Sequence, residues 1–415
     1  MRALRPVRVG EMRIAGKQRS GGSGGSGGSG TVGERSGLKR QLNLLPSFPS
    51  SPLPVLDERQ RGTRFIAWPV KSVLNTPAST GMGYWSLNPY VGCEFGCTYC
   101  YARDTHRYAL ERATTSSPNP LSMNGEGELL TEELTGSSPS PFTERGTGGE
   151  VERGSGGEVA WTPDDFERRI LVKTGAADVL VRTLDPARLD GSSLVIGTAT
   201  DPYQPAERKF RLTRKLLEQL KQYQGLSIGI ITKSPLVTRD LRLLQELTAR
   251  HEVTVNISLC TADAILARRL ERRSPIPQAR LRAMETLLKG GVRAGLLIAP
   301  ILPGINDDRP GLARLFQAAS DAKAVYAHGS ALRLDPVLGP RFIEYLAREF
   351  PEMAERYRRH FDGRWYVTRE YQQALSKRLR GLQREYGFAT GDMREYRQAE
   401  GRLPRAPSQQ KSLFE

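Results

Sequence analysis

Three closely spaced cysteines are the residues of this chain most able to do chemistry. Cys93, Cys97 and Cys100 follow a C-x3-C-x2-C pattern. Thiolates at this spacing can each bind one iron of a cubane [4Fe–4S] cluster, which leaves the fourth iron without a protein ligand. Gly92 and Gly96 permit the tight backbone that turns three sulfurs toward one centre. Because an open iron can coordinate a cofactor or a substrate, the pattern indicates catalysis and not only structure.

Two other interpretations of the cysteines stay open at this point. A structural zinc site has four Cys or His ligands in closed geometry, and His106 could supply the fourth. The chain has 4 cysteines, 4 histidines and no second C-x2-C pair, which disfavours such a site. A disulfide framework is disfavoured because the chain is long and poor in cysteine. The iron–sulfur interpretation is therefore preferred.

Length and composition predict a globular, cytoplasmic protein. The chain has 415 residues, of which 38% are hydrophobic and 26% charged, enough for two or three domains. Its longest apolar runs, such as residues 294–302, are strand-sized and too short to span a membrane. The sparse cysteines and the lack of an N-terminal hydrophobic signal favour the cytoplasm, and no membrane partner is expected.

The net charge of +16 raises the question of an anionic partner. Basic excess is compatible with nucleic-acid binding through neutralised phosphates. Residues 356–366 also interleave arginines with aromatic groups, a combination that can stack on bases. The alternative is that arginines simply solvate helix surfaces. A nucleic-acid substrate is thus one prediction, and an incidental basic surface is the other.

Two biased segments interrupt the pattern of the chain. The first is a basic arm with a Gly/Ser repeat at residues 20–30, and the second is a Gly-rich acidic insertion. Neither can bury enough apolar surface to offset the entropy of ordering. The predicted organisation is a disordered arm (1–60), a catalytic domain (61–335) with a disordered insertion (114–160), a helical region (336–400) and a tail (401–415).

Between these segments, apolar strand-like runs alternate with amphipathic helical runs. This alternation is typical of parallel βαβ units. Strands are predicted at 84–88, 194–199, 227–232, 253–260, 292–301 and 325–334, and helices at 208–222, 236–250, 263–270, 278–289 and 310–322. Six strands predict an α/β fold, a partial (β/α)6 TIM-type barrel. Sites in such barrels lie at the C-terminal ends of the strands, and the cysteine loop follows the first one.

From residue 68 to residue 334 the chain resembles the spore photoproduct lyase-related branch of the radical S-adenosylmethionine (SAM, AdoMet) superfamily, also termed DNA repair photolyase-like. The cysteine spacing is specific for the superfamily. The branch-level similarity is carried by residues 86–93, 100–103, 200–205, 231–234 and 303–307. Members of the branch generally lack the long insertion.

The resemblance implies a [4Fe–4S] cluster whose open iron is chelated by AdoMet. One electron from a flavodoxin- or ferredoxin-like donor then cleaves AdoMet to methionine and a 5′-deoxyadenosyl radical, which abstracts hydrogen from the substrate. The protein must bind and orient these groups and exclude water. Six residues are predicted to contact AdoMet, by resemblance or by position at strand ends: Tyr99, Thr200, Asp201, Lys233, Ser258 and Asn306.

The chain departs from spore photoproduct lyases at one reactive position. Those enzymes carry a hydrogen-donating cysteine where this sequence has Thr198, and a hydroxyl does not readily give a hydrogen atom to a carbon radical. Photoproduct splitting therefore requires a substitute, for which Cys260 and Tyr101 are the candidates. Strand alternation would place Cys260 on the same face as Ser258. The alternative is that Cys260 is a small buried hydrophobe.

Overall fold

A computed structural model describes residues 55–59, 62–103, 106, 162, 164–189, 191–334 and 339–390. The predicted insertion at 114–160, the tail and most of the predicted arm lie outside the described residues. The boundary of the arm needs correction, because the prediction ended it at residue 60. A strand at Val55–Glu58 pairs with its neighbour at Arg64–Ala67, so the folded part begins earlier.

The described residues form two sheets built from eleven strands. Their bounds are β1 (Val55–Glu58), β2 (Arg64–Ala67), β3 (Leu74–Asn75), β4 (Trp85–Leu87), β5 (Tyr90–Val91), β6 (Arg169–Val172), β7 (Leu194–Ile196), β8 (Ser227–Thr232), β9 (Glu252–Ser258), β10 (Arg293–Ile301) and β11 (Ala327–Ala331).

Thirteen α-helices and one 3-10 helix, at Pro235–Asp240, accompany these strands in the described ranges. The α-helices are α1 (Pro77–Thr80), α2 (Asp165–Arg168), α3 (Ala176–Thr183), α4 (Pro186–Leu189), α5 (Glu207–Phe210), α6 (Leu212–Leu220), α7 (Leu241–Thr248), α8 (Ala264–Leu270), α9 (Pro277–Lys289), α10 (Arg309–Asp321), α11 (Gly339–Glu349), α12 (Pro351–His360) and α13 (Arg369–Glu385).

The larger sheet confirms the predicted α/β architecture. Its order is β11-β10-β9-β8-β7-β4-β3. Six of these strands, β4, β7, β8, β9, β10 and β11, are parallel neighbours in chain order. β3 adds an antiparallel edge. Parallel strands in chain order, joined by helical crossovers, are the topology of a partial (β/α)6 barrel. All six parallel strands therefore end at the same edge.

The main core packs helices against this sheet. Strand residues such as Ile228 and Ile230 meet the apolar stripe of α6, where Leu216, Leu217 and Leu220 are buried. Complete burial of one such side chain stabilises the fold by about 1.5–3 kcal/mol. The periodicity that predicted these elements is thus the pattern that builds the core.

One predicted helix, at 208–222, is interrupted in the structure. Arg211 adopts φ of 52° between α5 and α6. The buried carboxylate of Glu207 accepts hydrogen bonds from the Thr213 and Arg214 backbone N–H groups, at 3.0 and 3.2 Å. These bonds satisfy free donors at the start of α6, so a side chain ends one helix and begins the next.

The smaller sheet was not predicted. Its order is β1-β2-β6-β5, and none of its strands exceeds four residues. Runs this short carry too little alternation to be recognised. The sheet matters for function because β5 leads directly into the cysteine loop and pairs with β6.

The C-terminal region is helical as far as it is described, with α11, α12 and α13. The apolar stripe predicted there is buried and belongs to a second core cluster that also contains Cys93, Cys97 and Tyr99. Its members are Phe342, Tyr345, Leu346, Phe350, Met353 and Tyr357. α11 and α12 therefore share a core cluster with the cysteine loop, whereas the buried leucines of α13 belong to the main core. Among the described residues, no helix combines the length and the apolar character that crossing a membrane requires.

Candidate functional site

A cavity of about 390 Å³ opens at the C-terminal ends of the parallel strands. This volume lies within the range of about 300–1,000 Å³ of ligand pockets. The cysteine loop forms one side, and residues that end or follow β7, β8, β9, β10 and β11 form the rest. Nine of the predicted site residues line it: Cys93, Cys97, Cys100, Tyr99, Tyr101, Thr200, Asp201, Lys233 and Ser258.

The glycines of the cysteine loop are required by geometry. Gly92 has φ of 86°, and a Cβ there would lie 2.9 Å from Phe166 O. Gly96 has φ of 59°, and its Cβ would lie 2.6 Å from the Glu167 carboxylate. Cys93 N–H, between them, donates to Phe166 O at 2.8 Å. The predicted role of both glycines in folding this loop is confirmed.

The three cysteine thiols are the type of donor that an iron–sulfur cluster takes. Among the residues described, no three Cys, His, Asp or Glu side chains are grouped so as to hold one metal ion. A cubane takes one thiolate per iron, so its ligands surround a cluster and do not converge on one point. His106, the candidate zinc ligand, has Nε2 2.7 Å from Arg169 O. The donor set therefore suits an iron–sulfur cluster.

Burial controls the protonation of the thiols before a metal binds. It raises the pKa of Cys97 to about 12, although the nearby Lys233 ammonium acts in the opposite direction. Burial likewise raises the pKa of Cys93 and of Cys100. Because metals bind thiolates, loading the site would release protons from these buried groups.

Asp201 connects the ends of two strands by hydrogen bonds, next to the cysteine loop. Its Oδ1 accepts from Thr232 Oγ1 at 2.6 Å and from Tyr203 N–H at 2.9 Å, and Oδ2 accepts from Lys233 N–H at 2.7 Å. Burial raises the pKa of Asp201, and these hydrogen bonds oppose that effect. Asp201 lines the cavity, and its hydrogen bonds hold together the loops after β7 and β8.

Asn88 and Gln204 position the cysteine loop and were not predicted. Gln204 Nε2 donates to Gly92 O at 3.1 Å, and its Oε1 accepts from Glu94 N–H at 3.0 Å. Asn88 Oδ1 accepts from Ala199 N–H at 2.9 Å. Both residues lie within segments that carried the family resemblance, which was the signal available in the sequence.

Thr200 lines the cavity but its hydroxyl is engaged. Thr200 Oγ1 donates to Tyr90 O at 3.2 Å, at the start of the cysteine loop. This hydrogen bond ties the loop after β7 to β5.

Lys233 and Ser258, both predicted to contact AdoMet, contact each other in the structure. Lys233 Nζ donates to Ser258 Oγ at 3.0 Å and lies 3.6 Å from Glu271 Oε1. Lys233 is desolvated, yet Glu271 and Cys97 raise its pKa, so the ammonium stays charged. The sequence indicated that such a lysine needs an anionic partner. The structure identifies that partner as Glu271.

Glu271 is the centre of a buried polar network. It accepts hydrogen bonds from the Tyr99 hydroxyl and from the Arg280 guanidinium. Burial opposes its ionisation, but Arg280 and Lys233 outweigh this and lower its pKa. Arg280 also donates to Ser258 O at 3.0 Å. One carboxylate therefore orients three groups around the cavity wall, and no motif in the sequence marked it.

Two predicted residues, Cys260 and Asn306, are not among the residues that line the cavity. β9 ends at Ser258, so strand alternation does not extend to Cys260, whose side chain is fully buried in the second core cluster. The side-chain amide of Asn306 hydrogen-bonds to the backbone. Its Nδ2 donates to Cys260 O at 2.8 Å, and its Oδ1 accepts from Leu302 N–H at 2.6 Å. Asn306 therefore clamps the loops after β9 and β10.

The rim of the cavity carries aromatic and basic groups. Tyr101 lines the cavity, and its hydroxyl donates to Thr198 O. This candidate hydrogen donor therefore lies beside Thr198, the position at which the sequence differs from spore photoproduct lyases. Arg333 also lines the cavity, with its guanidinium 4.8 Å from the Trp365 ring and 5.5 Å from the Tyr366 ring. Tyr366 is 60% exposed.

Comparison with known proteins agrees with this geometry. Residues 161–316 match the family model of the Radical SAM superfamily. The match begins beyond the cysteine loop, which the long insertion separates from it in sequence. The chain therefore contains a radical SAM domain, and the recognition made from the cysteine spacing is confirmed. The fold places the matched strands and the cysteines around one cavity.

Relatives are found in bacteria, archaea and a virus. Proteins described as uncharacterised from Mycobacterium bovis and Mycobacterium tuberculosis are 29% identical over 326 residues, 78% of this chain and 81% of theirs. A protein of the same description from Methanocaldococcus jannaschii is 24% identical over 57% of this chain and 67% of its own length.

Solved structures with similarity include a spore photoproduct lyase complexed with a dinucleoside spore photoproduct. It has a TM-score of 0.49 and 13% identity, and the similarity covers 78% of this chain and 79% of that one. Streptococcus suis SuiB bound to S-adenosylmethionine has a TM-score of 0.31 and 15% identity over 42% of this chain and 39% of its own.

Proposed function

We propose that this radical SAM enzyme holds a [4Fe–4S] cluster on Cys93, Cys97 and Cys100 and binds AdoMet in the adjoining cavity. The observation that carries the proposal is that the three thiols and Lys233 line one cavity at the shared edge of the parallel strands. Bound there, cluster and AdoMet supply a 5′-deoxyadenosyl radical that abstracts hydrogen from a substrate.

The residues around the cavity divide the task of holding AdoMet. The Lys233 ammonium, held in place by Ser258 and Glu271, offers a charged donor to the methionyl carboxylate. Tyr99 presents its ring to the cavity while its hydroxyl is fixed on Glu271. A side chain that is already fixed by its backbone and by a hydrogen bond loses little conformational entropy when the ligand binds, which favours tight binding.

We further propose a nucleic acid as the substrate. The support is the exposed Tyr366 ring and the Arg333 guanidinium at the cavity rim, within a chain of net charge +16. Base stacking on aromatic side chains contributes about 1–3 kcal/mol per base, and basic neighbours attract phosphates. Peptide or small-metabolite modification and a non-catalytic metal module are the alternatives.

Anaerobic reconstitution tests the class of chemistry. We expect about four irons and four sulfides per chain, with 5′-deoxyadenosine formed on adding dithionite and AdoMet. Lys233→Met should keep the cluster and weaken AdoMet binding, whereas the exposed control Lys215→Met should change neither. One zinc per chain with no labile sulfide would refute the enzyme and support the metal module.

A binding assay tests the substrate class. We expect single-stranded DNA or RNA to bind with an affinity that falls as salt rises, because counterions are released from phosphates. The double variant Arg333→Ala, Tyr366→Ala should lose about tenfold or more in affinity, and Arg242→Ala should not. Unchanged mobility at low salt would favour a peptide or small metabolite.

A further inference from the structure

A second cavity, of about 410 Å³, lies on the other side of the cysteine loop. Phe95, Cys97 and Tyr99 line the first cavity, whereas Gly96 and Thr98 line the second. The two cavities share no lining residue. The loop is therefore a wall between them. We call the second one the basic cavity.

Arginine dominates the basic cavity. Its lining contains six arginines and three acidic residues: Arg103, Arg168, Arg272, Arg273, Arg341 and Arg348, with Asp164, Glu167 and Glu344. In the described part of the chain, Arg168 and Arg348 have no ion-pair partner, and both are exposed. Glu167 pairs with Arg103 and Arg273, and Asp164 pairs with Arg341. The six arginines outnumber the three acidic residues, so the lining keeps a net positive charge that is open to a ligand.

The basic cavity lies directly against the cysteine loop, close to Cys97. The buried Arg103 guanidinium donates to Cys97 O at 3.1 Å and pairs with Glu167. Gly96, next to Cys97, has no side chain to lengthen the path. A group seated in this cavity would therefore be separated from a cluster on Cys97 by little more than the loop itself.

We propose that the basic cavity is the docking surface for an acidic one-electron carrier protein, with a flavin or an iron–sulfur group, that reduces the cluster. This inference rests on the proposed function. AdoMet and substrate must fill the first cavity, so a donor has to approach the loop from its other face. One electron leaves the donor's cofactor and enters the oxidised cluster, and no atom or proton is transferred.

The charge pattern fits a protein better than a polynucleotide. Acidic residues are interspersed among the arginines of the cavity, which would repel a continuous phosphate backbone. A carboxylate-bearing protein surface can instead place its acidic groups opposite Arg168 and Arg348. Such complementarity raises the association rate more than the affinity and suits brief encounters, because electron-transfer interfaces are small.

The test uses the reconstituted full chain and a purified flavodoxin as the probe. The double variant Arg168→Glu, Arg348→Glu reverses the two unpaired charges. Arg242→Glu, Arg282→Glu is the matched control, since both residues are exposed, unpaired among the described residues and outside both cavities. The Kd for flavodoxin is measured by calorimetry at low and at physiological salt, and cluster reduction is followed by electron paramagnetic resonance.

We expect the reversed variant to bind flavodoxin about tenfold or more weakly, the control to stay within about twofold, and wild-type affinity to fall with salt. Dithionite, which needs no docking, should reduce the cluster equally in all three proteins, while reduced flavodoxin should reduce it more slowly in the reversed variant. Equal Kd values in the three proteins would overturn the docking surface, as would lost DNA binding with flavodoxin binding intact. A missing cluster would refute the proposed function separately, because iron content is measured independently.

Discussion

Lys233 Nζ lies 3.6 Å from Glu271 Oε1, which joins an ammonium at the end of β8 to a buried carboxylate that follows α8. The other buried polar contacts of the site are arranged around this ion pair. Glu271 also accepts hydrogen bonds from Tyr99 and Arg280, so its single negative charge lies between two cations.

Glu271→Gln should destabilise the protein strongly. The amide keeps the shape of the side chain but leaves the buried Arg280 and Lys233 without a counter-charge. Breaking a buried ion pair costs about 3–5 kcal/mol, which a urea unfolding curve would measure. The control is Glu246→Gln at the exposed pair with Lys221, where the change should be within about 1 kcal/mol. Equal effects at both positions would contradict the role of the network.

The same residue predicts acid sensitivity. Its partners lower the pKa of Glu271 below the ordinary 4.5 in the folded state. The stabilisation is therefore complete above pH 4.5 and is lost as the pH falls through the folded value, where the carboxylate is protonated. Wild type should lose stability more steeply than Glu271→Gln below pH 4.5. Parallel curves for the two proteins would show that Glu271 is not ionised.

Cys97→Ala should abolish the cluster and AdoMet cleavage together, because two thiolates hold a cubane poorly. Iron, labile sulfide and 5′-deoxyadenosine are measured in one preparation. The matched control is Cys260→Ala, which should keep both the cluster and AdoMet cleavage, since Cys260 is buried outside the cavity lining. Loss of iron from the Cys260 variant would mean that the fourth cysteine has been placed wrongly.

Asn306→Ala should affect stability and not AdoMet binding. The substitution leaves the buried Leu302 N–H and Cys260 O without partners, at a cost of about 1–3 kcal/mol. AdoMet affinity, measured on reconstituted protein at a temperature where it is folded, should stay within about twofold. A variant of normal stability that binds AdoMet much more weakly would restore Asn306 as a cofactor ligand.

His251 should titrate below its ordinary value. Its Nδ1 accepts from Leu226 N–H at 3.2 Å, so Nε2, 2.9 Å from Leu220 O, carries the proton of the neutral ring. Burial lowers the pKa of His251 from 6.5. Its contribution to stability is complete above pH 6.5 and is lost as the pH falls through the lower folded value. An NMR titration of the ring with a midpoint at 6.5 or above would contradict this.

The sequence alone determined the elements with strong local signals. β8 occupies the residues predicted for it, and the six parallel strands follow from apolar runs alternating with amphipathic helices. The cysteine spacing led to the radical SAM superfamily, because the three cysteines of the pattern lie within eight residues of chain. Lys233 and Ser258 were predicted from the family resemblance, and the structure places both at the C-terminal ends of parallel strands.

The tertiary structure decided what depends on residues distant in sequence. Glu271 became the partner of Lys233 and Tyr99 only when folding brought the residue after α8 next to the end of β8. No local pattern distinguishes a buried carboxylate from a solvated one. Cys260 is buried just beyond the end of β9, and Asn306 is hydrogen-bonded to the backbone of Cys260 and Leu302, contacts that no local pattern predicts. The basic cavity is formed by arginines from separate segments, so only folding brings their charge against Gly96.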